Sequence, residues 1–121
     1  MNTGTGAKPT ANAEYVRASE RFELEIKVDL ESEHNFYTGL TQNISAGGLM
    51  FDSEAQTFLG ERVHIRIEFD GENFQVEAVV KHTGRLLASD LPYASGVEFL
   101  QQNKDLNRLL DTMDKWADQF D

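Results

Sequence analysis

The chain has 121 residues, which suits a single domain with one hydrophobic core and is too short for two. Its net charge of −10 argues against binding to DNA or RNA through a general basic surface, while 40% hydrophobic residues are enough to form a core. The sequence contains no cysteine, which excludes disulfide scaffolds and thiolate metal sites.

Membrane insertion is not expected from the hydropathy pattern. No apolar run approaches the roughly 18 residues that a membrane-spanning helix requires. The first residues, MNTGTGAKPTANA, also lack the apolar centre of a signal peptide. We therefore expect a cytoplasmic protein.

The N-terminal segment divides into two parts. Residues 1–13 are rich in Gly, Thr, Ala and Asn without hydrophobic periodicity, so we expect a disordered tail there and a folded domain over 14–121. Two arginines, Arg17 and Arg21, lie four residues apart at the start of that domain. The pattern fits either a helix with both arginines on one face or an ordered arm across the domain, and the sequence does not choose between them.

Alternation of apolar and polar residues predicts a strand-rich centre. It is strict over 22–30 and again over 63–69, as expected for strands with one buried face. Asp70-Gly71 is typical of a two-residue hairpin turn. The predicted strands are 22–30, 36–42, 49–51, 63–69, 74–80 and 96–99. Residues 43–48 are predicted to form a turn, and residues 84–95 a loop.

The C-terminal segment has helical periodicity. We predict a helix over 103–120 with Asn103 as its N-cap, because apolar residues recur there at a spacing of three or four. The fold class is therefore all-β with a C-terminal helix, arranged as a six-stranded antiparallel barrel that the helix covers or plugs. Alternatively, the apolar face of this helix is exposed and docks a partner.

Two groups of polar residues are expected to converge. Arg21 and Asn43 are 22 positions apart, about the length of one hairpin, so the arginines entering the first strand can face the turn that follows the second. Arginine binds phosphate in bidentate fashion and stacks on purines, and an amide offers both a donor and an acceptor. The candidate nucleotide-binding residues are Arg17, Arg21, Asn43, Ser45, Gly47 and Gly48.

Arg17-x-x-x-Arg21 followed by Asn43-x-Ser45-x-x-Gly48 resembles the two-part signature of the PilZ domain, the bacterial receptor module for cyclic di-GMP. The resemblance extends over about residues 15–120 and includes the late Gly-Val-x-Phe segment at Gly96. It implies that the arginines contact phosphates and guanines, that Asn43 and Ser45 bond the ligand, and that Gly48 leaves room for it. The resemblance implies either one ligand or an intercalated pair, and Val16 favours one, because a further arginine at that position would add stacking surface and charge for the pair.

The resemblance implies a receptor that senses cyclic di-GMP and signals to a separate protein effector. The alternative is a ligand-free adaptor of the same fold, in which the arginines only form surface ion pairs. The sequence has no nucleophile with a nearby base, so we do not expect an enzyme. Its three histidines lack metal-ligand spacing, and no metal or other cofactor is expected beside the ligand.

Overall fold

The computed structural model describes residues 21–87, 89–101 and 103–118. The described chain forms seven strands and one helix. The strands are β1 (Arg21–Phe22), β2 (Lys27–Glu31), β3 (Phe36–Ser45), β4 (Gly48–Ser53), β5 (Arg62–Phe69), β6 (Glu72–Arg85) and β7 (Tyr93–Phe99), and the helix is α1 (Lys104–Asp118). The predicted tail, Arg17 and the last two residues of the predicted helix lie outside the described residues.

Six of the strands form a closed barrel. The hydrogen-bonded order is β3-β2-β5-β6-β7-β4, and β4 pairs with β3 to close the ring. Every pairing is antiparallel, and the two-residue strand β1 pairs with the end of β3. The predicted six-stranded antiparallel barrel with a C-terminal helix is confirmed.

Helix α1 covers the barrel with the apolar face that the sequence pattern indicates. Its buried side chains are Leu106, Leu109, Leu110 and Met113. The side chain of Asn103 caps the helix, because its Oδ1 accepts the Leu106 N–H at 2.7 Å. The alternative in which these four residues form an exposed docking face is therefore wrong.

The helix also closes an open edge of the sheet. Strand β7 pairs with β6 only from Ala78 onward, which leaves the first half of β6 without a neighbour on that side. Asp105 Oδ2 accepts the Gln75 N–H at 2.9 Å, and Arg108 donates to the Asn73 carbonyl at 3.1 Å. The Arg108 guanidinium also lies 4.4 Å from the Phe74 ring centroid. Backbone groups that would otherwise bind water or another strand are thus paired within the chain.

The prediction of one continuous strand over 22–30 is wrong, because residues 23–26 are not in strand conformation. The buried hydroxyl of Thr41 takes the place of ladder bonds there: it accepts the Ile26 N–H at 2.9 Å and donates to the Leu24 carbonyl. Thr41 N–H donates to the Ile26 carbonyl at 2.9 Å. A side chain from the neighbouring strand therefore decides where β1 ends and β2 begins.

Two predicted connections are shorter than the sequence indicated. Strand β3 runs to Ser45 and β4 begins at Gly48, so the turn between them contains only residues 46–47. The predicted loop over 84–95 is partly strand, because β6 and β7 pair as far as Arg85 and Tyr93. The Asp70-Gly71 hairpin turn is confirmed, and φ is positive at both residues, 55° and 79°.

A carboxylate holds together the barrel end formed by the β2–β3 turn. Glu61 accepts hydrogen bonds from the Tyr37 hydroxyl at 2.9 Å and the Ser32 hydroxyl at 2.6 Å, and further bonds from Asn35 and the Phe58 backbone. Burial acts to raise the pKa of Glu61, but these hydrogen bonds outweigh it and lower that pKa. Burial, assisted by Glu61, raises the pKa of Tyr37 to about 12.

The raised pKa of Tyr37 predicts a loss of stability at alkaline pH. Because its folded-state pKa of about 12 exceeds the ordinary 10.0, the contribution is complete below pH 10 and disappears as the pH rises towards 12. We expect wild type to lose roughly 2–3 kcal/mol more than Tyr37→Phe over this interval, at about 1.4 kcal/mol per pKa unit. Urea unfolding at several pH values measures the difference, and parallel curves for the two proteins would contradict the prediction.

Candidate functional site

A cleft of about 240 Å³ lies on the outer face of the barrel, where β1, β3, β4, β6 and β7 come together. Five of the six candidate residues line it, namely Arg21, Asn43, Ser45, Gly47 and Gly48. The sixth, Arg17, lies outside the described residues. The cleft is also lined by Leu49, Met50, Lys81, His82, Gly96, Val97 and Glu98.

Strand β1 brings the arginine to the turn. Arg21 is opposite Ser45, and Phe22 is opposite Ile44, in the antiparallel pairing of β1 with β3. Phe22 is buried and fixes this short strand to the core, whereas Arg21 is exposed. The expectation that a hairpin-length segment returns the arginine to the polar turn therefore agrees with the observed register.

A β-bulge in β3 determines where Asn43 points. Thr41 is opposite Phe51 and Asn43 is opposite Met50, which leaves Gln42 as an extra residue. Regular alternation from the buried Thr41 would turn Asn43 into the core. The bulge instead leaves both Gln42 and Asn43 on the outer face, and Ile44 becomes the next buried residue.

A second bulge, in β6, has the same effect on the opposite side of the cleft. Val80 is opposite Val97 and His82 is opposite Gly96, with Lys81 as the extra residue. Lys81 and His82 are both exposed, although they are adjacent in a strand. Pairing across β6, β7, β4 and β3 then places four residues in one row on the outer face: His82, Gly96, Met50 and Asn43.

The sequence reasoning missed the half of the cleft that β6 and β7 contribute. The residues concerned are Lys81 and His82 of β6 and Gly96 and Glu98 of β7, together with Met50 of β4. One signal was available, because alternation through Val76, Ala78 and Val80 is followed by two consecutive polar residues. Such a break is typical of a bulge, but it does not indicate which strands lie beside it.

The paired glycines differ in what they do. Neither has a positive φ, so the turn does not use that freedom. A Cβ added to Gly48 would lie 2.0 Å from the Val97 carbonyl oxygen, whereas one added to Gly47 would meet nothing within 4 Å. The absence of a side chain at Gly48 is therefore required by the approach of β7. At Gly47 the absence of a side chain leaves the cleft open to solvent.

The polar side chains at the centre of the cleft are available for a ligand. Within the described part of the chain, Arg21 has no ion-pair partner, and the surface ion-pair interpretation stays an alternative because Glu14 and Glu20 lie outside the described residues. The side chains of Asn43 and His82 likewise make no hydrogen bond to any described residue. Lys81 Nζ lies 3.9 Å from Glu98 Oε1, and the Ser45 hydroxyl donates to the Gly48 carbonyl at 3.4 Å. Such a set can bind an anion together with a base edge.

The histidines do not form a metal site. No group of three or more His, Asp or Glu side chains among the described residues could hold a metal ion. His64 lies between Glu77 and Gln75, with Nε2 2.7 Å from Gln75 Oε1. The hydrogen bond with Glu77 raises the pKa of His64 despite its partial burial. As for membranes, the helix in the described chain has 15 residues and is too short and too polar to span a bilayer.

Comparison with known proteins places the cleft in context. The model of the PilZ domain family matches residues 15–113. No curated protein sequence matches the chain. The structure is similar to the PilZ domain of CeSA from a cellulose-synthesizing bacterium, with TM-score 0.62, 21% identity and coverage of 79% of this chain and 99% of that one.

Two further solved structures share the fold. The PilZ domain of YcgR from Escherichia coli, determined with c-di-GMP, matches with TM-score 0.65 and 12% identity, covering 83% of this chain and 92% of that one. The inhibitor of motility MotI (DgrA) from Bacillus subtilis matches with TM-score 0.66 and 21% identity, covering 80% of this chain but 49% of that protein. At these identities the structural similarity establishes the fold.

Proposed function

The chain belongs to the PilZ domain family, and on that premise we propose that it is a cytoplasmic receptor for cyclic di-GMP that signals to a separate partner protein. The observation that carries the proposal is the convergence of Arg21, Asn43, Ser45, Gly47 and Gly48 on one cleft. The similar PilZ domain of YcgR was determined with this nucleotide, which supports the choice of ligand.

The proposed roles follow from the chemistry of each group. The Arg21 guanidinium binds a phosphate in bidentate fashion or stacks on a guanine. The Asn43 amide and the Ser45 hydroxyl bond the base or the phosphate, and Gly47 allows the ligand to approach the backbone. Arg17 is assigned to the site from the signature alone, as a second guanidinium.

Charge distribution favours this site over the rest of the surface. The ligand carries two phosphodiester charges, and the chain has a net charge of −10, so most of its surface repels such an anion. Two cationic side chains, Arg21 and Lys81, line the cleft beside one carboxylate, Glu98, so the cleft carries a local positive charge. We therefore expect binding to weaken as salt concentration rises, because the cleft is open to solvent and its charges are screened.

Signalling to a partner is the second part of the proposal. MotI, which shares the fold, is an inhibitor of motility, so a protein of this fold can act in regulation. We propose that this chain acts as a receptor and adaptor rather than as a catalyst, with the ligand altering the outer face around the cleft. A partner that binds this face would have a different affinity for the protein with and without the nucleotide.

Calorimetric titration with cyclic di-GMP tests the proposal. We expect Arg21→Ala to weaken binding roughly tenfold to hundredfold, because hydrogen bonds to charged groups contribute about 1.5–3 kcal/mol. The β1 backbone pairing does not depend on this side chain, so the variant should fold. Arg66→Ala, which removes an exposed arginine from β5, is the matched control and should bind as wild type does.

A melting scan provides an independent measurement. Ligand at 100 times its dissociation constant should stabilise the folded protein by about 2.7 kcal/mol. If wild type gives neither heat on titration nor a change in melting temperature, the chain does not bind cyclic di-GMP. The ligand-free adaptor would then be the better interpretation.

A further inference from the structure

On the floor of the cleft, the side chains of Met50 and His82 cover Gly96 of β7. A Cβ added to Gly96 would lie 3.0 Å from Met50 Sδ and 3.3 Å from His82 Cδ2, so these two groups approach each other above the glycine backbone. Gly96 is opposite Met50 in one direction and His82 in the other. The thioether and the imidazole above this buried glycine form a surface on which a purine ring can stack.

Glu98 is the acidic member of the same cleft. It lies two residues beyond Gly96 on the outer face of β7, which places the two positions about 7 Å apart. That spacing lets a ring stacked on Met50 and His82 direct one edge at the carboxylate. Glu98 is opposite Gly48, which has no side chain to block this approach.

A carboxylate complements guanine in a way that the central amide does not. The Watson–Crick edge of guanine presents two adjacent donors, N1–H and the N2 amino group, and an ionised carboxylate has two acceptor oxygens and no donor. Asn43 has one acceptor oxygen and an NH₂ group, so it can match only part of that pattern. Lys81, 3.9 Å from Glu98, balances the negative charge and reduces its repulsion of a phosphate.

Resting on the proposed function, we propose that Glu98 determines the preference of this site for guanine. The base stacks on the Met50 and His82 side chains that cover Gly96, and the Glu98 carboxylate accepts hydrogen bonds from N1–H and the N2 amino group. Adenine would direct the lone pair of its N1 at the same carboxylate, which is repulsive. Cyclic di-AMP should therefore be rejected, and cyclic di-inosine monophosphate, whose base lacks the N2 amino group, should bind less tightly than cyclic di-GMP.

Wild type and Glu98→Gln are titrated with these three cyclic dinucleotides in parallel. We expect wild type to bind cyclic di-GMP roughly tenfold more tightly than the inosine analogue, the loss expected for one hydrogen bond to a charged group. Glu98→Gln should bind cyclic di-GMP roughly tenfold or more weakly than wild type, and the difference between the two ligands should largely disappear. Glu68→Gln, an exposed change on β5, is the control and should keep the wild-type preference.

The outcomes distinguish a failure of the Glu98 assignment from a failure of cyclic di-GMP binding itself. If wild type binds cyclic di-GMP and Glu98→Gln retains both the affinity and the preference over the inosine analogue, Glu98 does not read the base, and this inference fails alone. If wild type binds none of the three nucleotides, the proposed function fails and this inference fails with it. Equal melting temperatures of wild type and Glu98→Gln without ligand would show that a loss of preference does not come from unfolding.

Discussion

Gly48→Ala is expected to destabilise the barrel by about 3 kcal/mol, at the upper end of the usual cost of overpacking. The added Cβ would lie 2.0 Å from the carbonyl oxygen of Val97, and 3.2 Å from the Cα of Glu98. These are backbone atoms of β7, which cannot move aside as a flexible side chain can. Strands β4 and β7 would have to separate locally, at a point where six residue pairs join them.

Gly47→Ala is the matched control, one residue away in the same turn. A Cβ there would meet nothing within 4 Å, and φ is not positive, so we expect a change in stability of no more than about 0.5 kcal/mol. Urea unfolding of the two variants beside wild type measures both effects. Equal stabilities of Gly48→Ala and Gly47→Ala would show that β7 does not constrain Gly48.

Gly47 and Gly48 of the signature therefore differ in what a substitution would test. Loss of ligand binding in Gly48→Ala would reflect a distorted barrel, since the glycine is required by strand packing. Gly47→Ala changes the open side of the turn without that cost and is therefore the better probe of ligand approach to the backbone. The implication that Gly48 leaves room for the ligand stays a prediction, and its requirement for packing is a separate, structural reason for the residue.

Leu109→Ala is expected to destabilise the protein by about 2–5 kcal/mol, the range for truncating a buried leucine. Leu109 is 0% exposed and lies on the helix face that covers the barrel. The polar contacts of Asp105 and Arg108 with β6 hold the helix in place, so the space left by the smaller side chain would not be filled by a shift of α1. The loss in unfolding free energy should therefore include the cost of the cavity that remains.

Lys115→Ala, an exposed change on the same helix, is the control and should alter stability by less than about 0.5 kcal/mol. Chemical denaturation of both variants measures the difference. A loss below about 1 kcal/mol for Leu109→Ala would contradict the close packing of α1 against the barrel.

Several features followed from the sequence because they depend on neighbouring residues. Alternation identified most of the residues that face the core, since successive side chains in a strand point to opposite sides. The Asp70-Gly71 turn and the Asn103 cap were predictable because each is a local backbone requirement met by particular residue types. The family was also predictable, since its two-part signature could be read directly and the family match over 15–113 confirms it.

The errors share a cause, which is that they depend on the strand lying alongside. Alternation predicted one strand over 22–30, but the hydroxyl of Thr41 interrupts it through bonds to Leu24 and Ile26. The loop predicted over 84–95 contains Gly, Ser, Asp and Pro, yet part of it is strand because β6 and β7 continue to pair. The amino-acid composition of a segment indicates which secondary structures it tolerates, but pairing with a neighbouring strand decides which one it forms.

The sequence by itself determined the fold class, the family and five of the residues that line the cleft, because these depend on local patterns and on a recognisable order of residue types. Only the tertiary structure decided which way Asn43 and His82 point. Each follows a bulge, and a bulge exists only relative to its partner strand. The tertiary structure also brought Gly96 and Glu98 into the cleft, since residues so distant in sequence meet only when the barrel closes.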